Sequence, residues 1–295
     1  TSTFGGTPAH RQALHLRGSR FRARWDRAPG PYCQHQKMWL IDAGQKSETV
    51  FTGGLNLTIR GLGQRGHAGG SGRHDVYTEI TGPAATDIHH NFVQRWNEAS
   101  ERHRENGSWG PDVTDLPFPT AASLACGPSH VQIQRHMPAG LYTDSRATPG
   151  GRPYDLSRGE WTIREQYVRA INAARHSIYI ENQAVPMPEI SRPLDAALER
   201  GVDVVMAVPA QPEGYVRADR RTPEHRERFG MLAALGRHDN FLLAGLAGHD
   251  AQGQRVDIYV HSKMMLVDDA WGTIGSCNLH PYSLYGHCEM NASFW

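Results

Sequence analysis

Short apolar runs alternate along this chain with stretches in which apolar residues return every three or four positions. The two periods mark strands and helices. The run "MWLI" (38–41) and its later counterpart "MMLV" (264–267) are continuously apolar, which predicts strands buried on both faces. "VYTEI" (76–80) alternates as a strand does. Pro83 then opens a helix whose apolar face carries Ala85, Ile88, Phe92, Trp96 and Ala99. The adjacent His89 and His90 on that helix are expected to face solvent. From 105 to 129 Pro, Gly and Ser dominate without a period, which predicts a linker. "HVQIQRHM" (130–137) reads as a strand and 138–159 as a long loop. A helix over 160–175 follows, with Ile163, Tyr167, Ala170, Ile171 and Ala174 on one face. Next come a strand "SIYIEN" (177–182), a helix "EISRPLDAALERG" (189–201) closed by Gly201, and a strand "VDVVMAVP" (202–209). The helix "HRERFGMLAALGRH" (225–238) precedes the strands "FLLAGLAG" (241–248) and "RVDIYVHSKMMLVD" (255–268). Such alternation predicts an α/β fold with mixed sheets flanked by helices.

Polar residues interrupt the apolar runs twice in the same way. His35-x-Lys37-x4-Asp42 answers His261-x-Lys263-x4-Asp268, and Gly53-Gly54-Leu55-Asn56-Leu57 answers Gly275-Ser276-Cys277-Asn278-Leu279. Ten residues separate Asp42 from Gly53 and six separate Asp268 from Gly275, so the first copy has the longer turn. Five residue types repeated in one order mark an internal duplication. It divides the chain into a first half (1–105), a linker (106–129) and a second half (130–295), with a pseudo-twofold axis that brings the motifs together. On an extended strand His and Lys two residues apart point the same way. The motif aspartates fall in the turns, where they bond turn amides or Lys.

Composition narrows the functions open to such a pair. The 295 residues carry a net charge of +1, so no bulk nucleic-acid surface is expected and any anion site must be local. The four cysteines form no C-x-x-C pair, and no run of 18 apolar residues predicts a membrane span. No signal peptide is evident; peripheral membrane contact is expected, with the compartment left open.

Two His, two Lys and two Asn facing one another form a cradle for a tetrahedral oxyanion. The ammonium groups of Lys37 and Lys263 and the amides of Asn56 and Asn278 offset phosphoryl charge, so no metal and no cofactor is required. One neutral imidazole can attack phosphorus and the other, protonated, can release the leaving oxygen. Each needs a partner on its second nitrogen. By position, Glu289, 11 residues after Asn278, is expected to serve His261, and Asp75, 19 after Asn56, to serve His35. Ser262 and Ser276 stand on strands without a nucleophile elbow and read as hydrogen-bond partners, and Cys277 as a small packed residue.

These residues resemble the H-x-K-x4-D phosphodiesterases of the phospholipase D superfamily, and the resemblance covers nearly the whole chain. His35/Lys37/Asp42 with Gly53-Gly54-x-Asn56 looks like the first motif and His261/Lys263/Asp268 with Gly275-Ser276-x-Asn278 like the second. The stretches 74–97, 177–183 and 283–291 are similar to the phospholipase branch. The resemblance implies two similar α/β halves around one metal-free site and a phosphohistidine on the first-motif His35, with His261 as the acid. It also implies elements ahead of the first motif. Only 34 residues precede His35, the chain begins at Thr1 rather than Met, and "MNASFW" reads like a strand cut short, so an N-terminally incomplete first half is expected. Departures fall at Arg73, where a Trp often stands, at Tyr282-Ser283 in place of Arg-Ser, and at Ala184 in place of an aromatic residue.

The expected activity is cleavage or exchange of a phospholipid headgroup at a membrane surface, by a monomer, with water or an alcohol as acceptor. The alternatives are a cardiolipin-synthase-like phosphatidyltransferase, then a nuclease, then a non-catalytic phosphate- or membrane-binding module. The pairs His74-Asp75, His238-Asp239 and His249-Asp250 would suit a metal phosphohydrolase only if helices brought them together, and their contexts are strand and turn.

Overall fold

A computed structural model describes residues 22–58, 61, 63, 67, 72–103, 108–109 and 114–295. The expected start of the first half (1–21) and part of the expected linker (106, 107 and 110–113) lie outside the described residues.

Each motif copy folds as an antiparallel meander. In the first, β2 (Met38–Ile41), β3 (Thr49–Gly53) and β5 (Tyr77–Thr81) pair in that order. In the second, β13 (Met264–Val267), β14 (Trp271–Gly275) and β15 (Glu289–Phe294) do the same. The turns also match in detail: Asp42 and Asp268 both take the left-handed conformation, with φ of 53° and 54°. Asp tolerates that region because its short side chain bonds locally.

The second meander belongs to a ten-stranded mixed sheet. Its other members are β7 (Val131–Met137), β8 (Glu160–Trp161), β9 (Ser177–Glu181), β10 (Asp203–Val208), β11 (Phe241–His249) and β12 (Arg255–Val260). The tenth is β4 (Arg73–His74), a first-half strand lying parallel to β12 at the edge. Strands β9, β10 and β11 run parallel. β1 (Ala23–Arg24) pairs separately with β6 (Ser108–Trp109).

The helices lie where the apolar periods placed them. α1 (Pro83–Asn97) follows β5, while α2 (Thr162–Ala173), α3 (Pro188–Glu199) and α5 (Arg226–Leu235) pack against the large sheet. Ile163, Tyr167, Ile190 and Leu194 meet Ile178, Ile180, Met206 and Met265 in its core. A second core joins the halves: Val50, Ile80, Ala85 and Ile88 pack on Met290 and Ala292 of β15. Two short helices, α4 (Gly214–Asp219) and α6 (Pro281–Tyr285), have too few turns to show a period in the sequence.

Three expectations are corrected. Strand β2 is not buried on both faces: Trp39 and Ile41 are 42% and 52% exposed, because the small sheet has only one covered face. The run 255–268 is two strands, since the chain leaves the sheet at His261–Lys263 to enter the site. His89 and His90 do not face solvent. His89 lies 2.8 Å from Glu48, and His90 is buried beneath Phe118, whose segment covers the helix.

Candidate active site

The peptide N–H of His35 donates to the Cys288 carbonyl at 2.9 Å, and that of His261 donates to the His74 carbonyl at 2.8 Å. Each acceptor is the residue just before a carboxylate, so the next side chain lands beside the imidazole. Both Glu289 oxygens lie against His35 Nδ1, at 2.9 and 2.8 Å, and Asp75 Oδ2 is 2.6 Å from His261 Nδ1. Nδ1 is engaged in both rings, which leaves Nε2 as the nitrogen not held by the carboxylate.

The expected pairing is therefore exchanged: each half orients the histidine of the other. Nearness in sequence favoured pairing within a half. The parallel contacts of Gln34 with Cys288 and of Val260 with His74 carry each carboxylate across instead.

The supports of the two carboxylates differ. Ser276 Oγ donates to Glu289 at 2.5 Å, whereas Asp75 receives the Val76 amide at 2.9 Å. Gly54 stands where the second motif has Ser276, and a Cβ there would fall 2.3 Å from Asp75 Oδ1. Close approach of β3 to the shorter carboxylate thus demands glycine.

Both lysines fold back beneath their histidines. Lys37 Nζ donates to the His35 carbonyl at 2.6 Å; Lys263 Nζ donates to the His261 carbonyl and, at 2.9 Å, to Gln183 Oε1. Burial depresses them, Lys37 to about 8 and Lys263 to about 7, against the pull of nearby carboxylates. Burial likewise lowers both imidazoles, His261 to about 4, and Glu289 and Asp75 only partly oppose it. Burial alone would raise Glu289, but His35, Lys37 and the Ser276 hydroxyl outweigh it and hold the carboxyl at about 2. Asn278 reaches the site from the end of β14, and its buried amide oxygen meets no partner among the described residues. Asn56 is half-buried past the end of β3.

The motif aspartates stay out of this cluster. Asp42 accepts from the Ser47 hydroxyl in its own turn at 2.8 Å. Asp268 accepts the amides of Arg175, His176 and Ser177 at 2.8, 2.7 and 2.9 Å, fixing the entry to β9.

A cleft of 540 Å³ opens from His35 and Asn278. One wall is a file of rings in which neighbouring centroids are 5.2 to 5.9 Å apart: His35, His287, Tyr282, His280 and Tyr215. Burial holds His280 and His287 near 4, so both are uncharged at neutral pH. Glu213 and Asp219 also line the cleft. Glu213 accepts from the Tyr259 hydroxyl at 2.6 Å, and Asp219 pairs with Arg228 at 2.9 Å. Apart from His35 and Tyr282 the sequence does not single out these cleft residues, because they come from short segments without periodicity; the polar pair ending "SIYIENQ" is the one available signal for Gln183. The departures have places here too. Arg73 lies 5.1 Å over the Tyr259 ring, Tyr282 stands half-exposed at the cleft, and Ala184 lines a separate apolar slot. Among the described residues no group of three or more His, Cys, Asp or Glu could hold a metal ion.

Two family models and several known proteins are similar to this chain. A family described as Phospholipase D matches residues 59–185, and one described as Cardiolipin synthase, PLD-like domain matches 167–294, which includes the second motif. Phospholipase D beta 2 of Arabidopsis thaliana is 27% identical, over 86% of this chain and 39% of its own length. Phospholipase D A of Dictyostelium discoideum is 27% identical, over 75% of this chain and 18% of its own. The chain thus spans well under half of these relatives. The phosphatidylserine synthase of Haemophilus influenzae has a similar fold, with a TM-score of 0.58 at 15% identity over 97% of this chain and 63% of that one.

Proposed function

Because this chain belongs to the phospholipase D superfamily, we propose that it cleaves or exchanges the headgroup of a phospholipid through a phosphohistidine, without a metal. The observation that carries this reading is the crossed pair of histidine–carboxylate dyads above two buried lysines.

Burial keeps both imidazoles neutral at pH 7, which suits His35 as nucleophile. A bound phosphodiester anion raises His261 and the two lysines, since each gains a nearby opposite charge. His35 Nε2 attacks phosphorus. The bond from phosphorus to the headgroup oxygen breaks as His261 Nε2 passes its proton to that oxygen, and the alcohol departs. Lys37, Lys263, Asn56 and Asn278 hold the non-bridging oxygens. Neutral His261 then takes a proton from water or an acceptor alcohol, whose oxygen attacks phosphorus. The P–N bond breaks and His35 is restored. Glu289 and Asp75 keep both rings in the required tautomer.

The aromatic file and the Glu213 carboxylate favour a cationic alcohol as the departing headgroup, held by ring faces and one negative charge. The match of 167–294 to the Cardiolipin synthase, PLD-like domain supports a second reading, phosphatidyl transfer. An anionic glycerol-phosphate acceptor fits that acidic cleft less well than an amino alcohol does.

The test is turnover of vesicle phospholipid by wild type, His35→Asn and His261→Asn, each with and without chelator. The expected result is choline or ethanolamine release that survives chelation and falls at least about a thousandfold in either variant. Release that needs added metal, or normal turnover in either variant, overturns the proposal.

A further inference from the structure

Glu181, the last residue of β9, is a buried carboxylate that the chemistry above leaves unused. Its oxygens accept from Ser262 Oγ at 2.5 Å and Tyr179 Oη at 2.7 Å, and Oε2 lies 3.1 Å from His74 Nε2. Two of these partners adjoin the His261 dyad. Ser262 stands between His261 and Lys263. His74 precedes Asp75, and its carbonyl receives the amides of both His261 and Ser262, at 2.8 and 3.1 Å. One carboxylate of the second half thus grips both segments that build the dyad, one from each half.

The charges alternate along this line. Burial works to raise Glu181, but the bonds from His74, Ser262 and Tyr179 hold it at about 2; the Glu181 bond in turn raises His74 above its ordinary value. Glu181 is then negative, His74 positive when protonated, Asp75 next to it a carboxylate, and His261 the group that gains and loses the proton. Among the described residues no second carboxylate plays this part at the other dyad, where the Gln36 amide donates to the Glu289 carbonyl at 3.2 Å. There the residue between His35 and Lys37 is Gln36, held by neutral and cationic donors of α1, Asn91 at 3.0 Å and Arg95 at 3.1 Å.

We propose that Glu181 is a positioning residue for the His261–Asp75 pair, fixing the imidazole that handles the leaving-group proton by clamping His74 and Ser262 across the boundary between the halves. The inference rests on the reading of His261 as that acid.

The role separates two kinds of leaving group. An alkyl alcohol needs a proton as it departs, whereas p-nitrophenolate does not. With enzyme in excess, a single turnover of a short-chain phosphatidylcholine and of a p-nitrophenyl phosphodiester reports only formation of the phosphohistidine. Glu181→Gln keeps the shape and removes the charge. It is expected to slow choline release about a hundredfold while nitrophenol release stays within about threefold of wild type, with the half-saturating enzyme concentration for both little changed. Ser262→Ala removes one bond of the clamp and is expected to show the same split more weakly; it carries the test if Glu181→Gln does not fold. Equal slowing of both esters, or no slowing of either, overturns the role of Glu181. Wild type that forms no phosphohistidine with either ester overturns the functional reading instead, a different result from any that the variants give.

Discussion

Buried lysines define the residue scale of this site. Lys263 is almost wholly covered, and its ordinary value of 10.5 falls to about 7; Lys37 falls to about 8. Between those values and 10.5 the unfolded chain binds more protons than the empty folded protein. Stability from these two groups therefore rises with pH across that window. A bound phosphoryl anion reverses the balance by returning protons to the lysines. Inorganic phosphate should thus take up about one proton on binding at pH 8, read as the slope of calorimetric binding heat against buffer ionisation enthalpy. Lys263→Met should remove most of that uptake. Binding with no proton uptake would show that the lysines are already charged before phosphate binds. At this scale the sequence displayed the histidines, lysines and asparagines through their repetition. It hid which carboxylate serves which histidine, because that choice is made by strand contacts between residues far apart in the chain, Gln34 with Cys288 and Val260 with His74. Glu181 and Gln183 were hidden for a related reason: neither is repeated in the other half.

At the scale of elements, the strand–turn–strand unit sets the precision of the site. Its glycine is the sensitive point. A methyl group at Gly54 would lie 2.3 Å from Asp75 Oδ1 and 3.2 Å from the His261 carbonyl oxygen, so the dyad must shift to admit it. Gly54→Ala is expected to lower kcat about a hundredfold, the usual consequence of displacing a catalytic group by about an ångström. The melting temperature should change only modestly, since the residue is at a strand end. Steady-state kinetics and a thermal melt on the same preparation check this; unchanged kcat would mean that Asp75 tolerates displacement. Long elements were legible because burial imposes a period on them, as in α1 and α2. Burial on both faces of β2 was misread from "MWLI". A continuously apolar run does not reveal that its sheet has three strands and one uncovered face. Helices α4 and α6, which flank the cleft with Tyr215 and Tyr282, are too short for any period.

Over the whole molecule, the two motif copies complete each other only because the halves are interlocked. The first half contributes His35 and Asp75, the second His261 and Glu289, and neither holds a complete dyad alone. The shared core of Val50, Ile80 and Ile88 on Met290 and Ala292 fixes their mutual position. Among the described residues no helix is long and apolar enough to cross a membrane. The proposed function places an asymmetric chemistry in a nearly symmetric frame. Glu289 stands behind His35 with the Ser276 hydroxyl on it, and the Glu181–His74 clamp stands behind His261. The most direct measurement of that assignment is to quench the protein during turnover of a phosphodiester, digest it at alkaline pH and map acid-labile phosphate by peptide mass spectrometry. The account predicts phosphate on the peptide that contains His35. Phosphate confined to the peptide of His261, or normal turnover with no phosphorylated histidine, would contradict it.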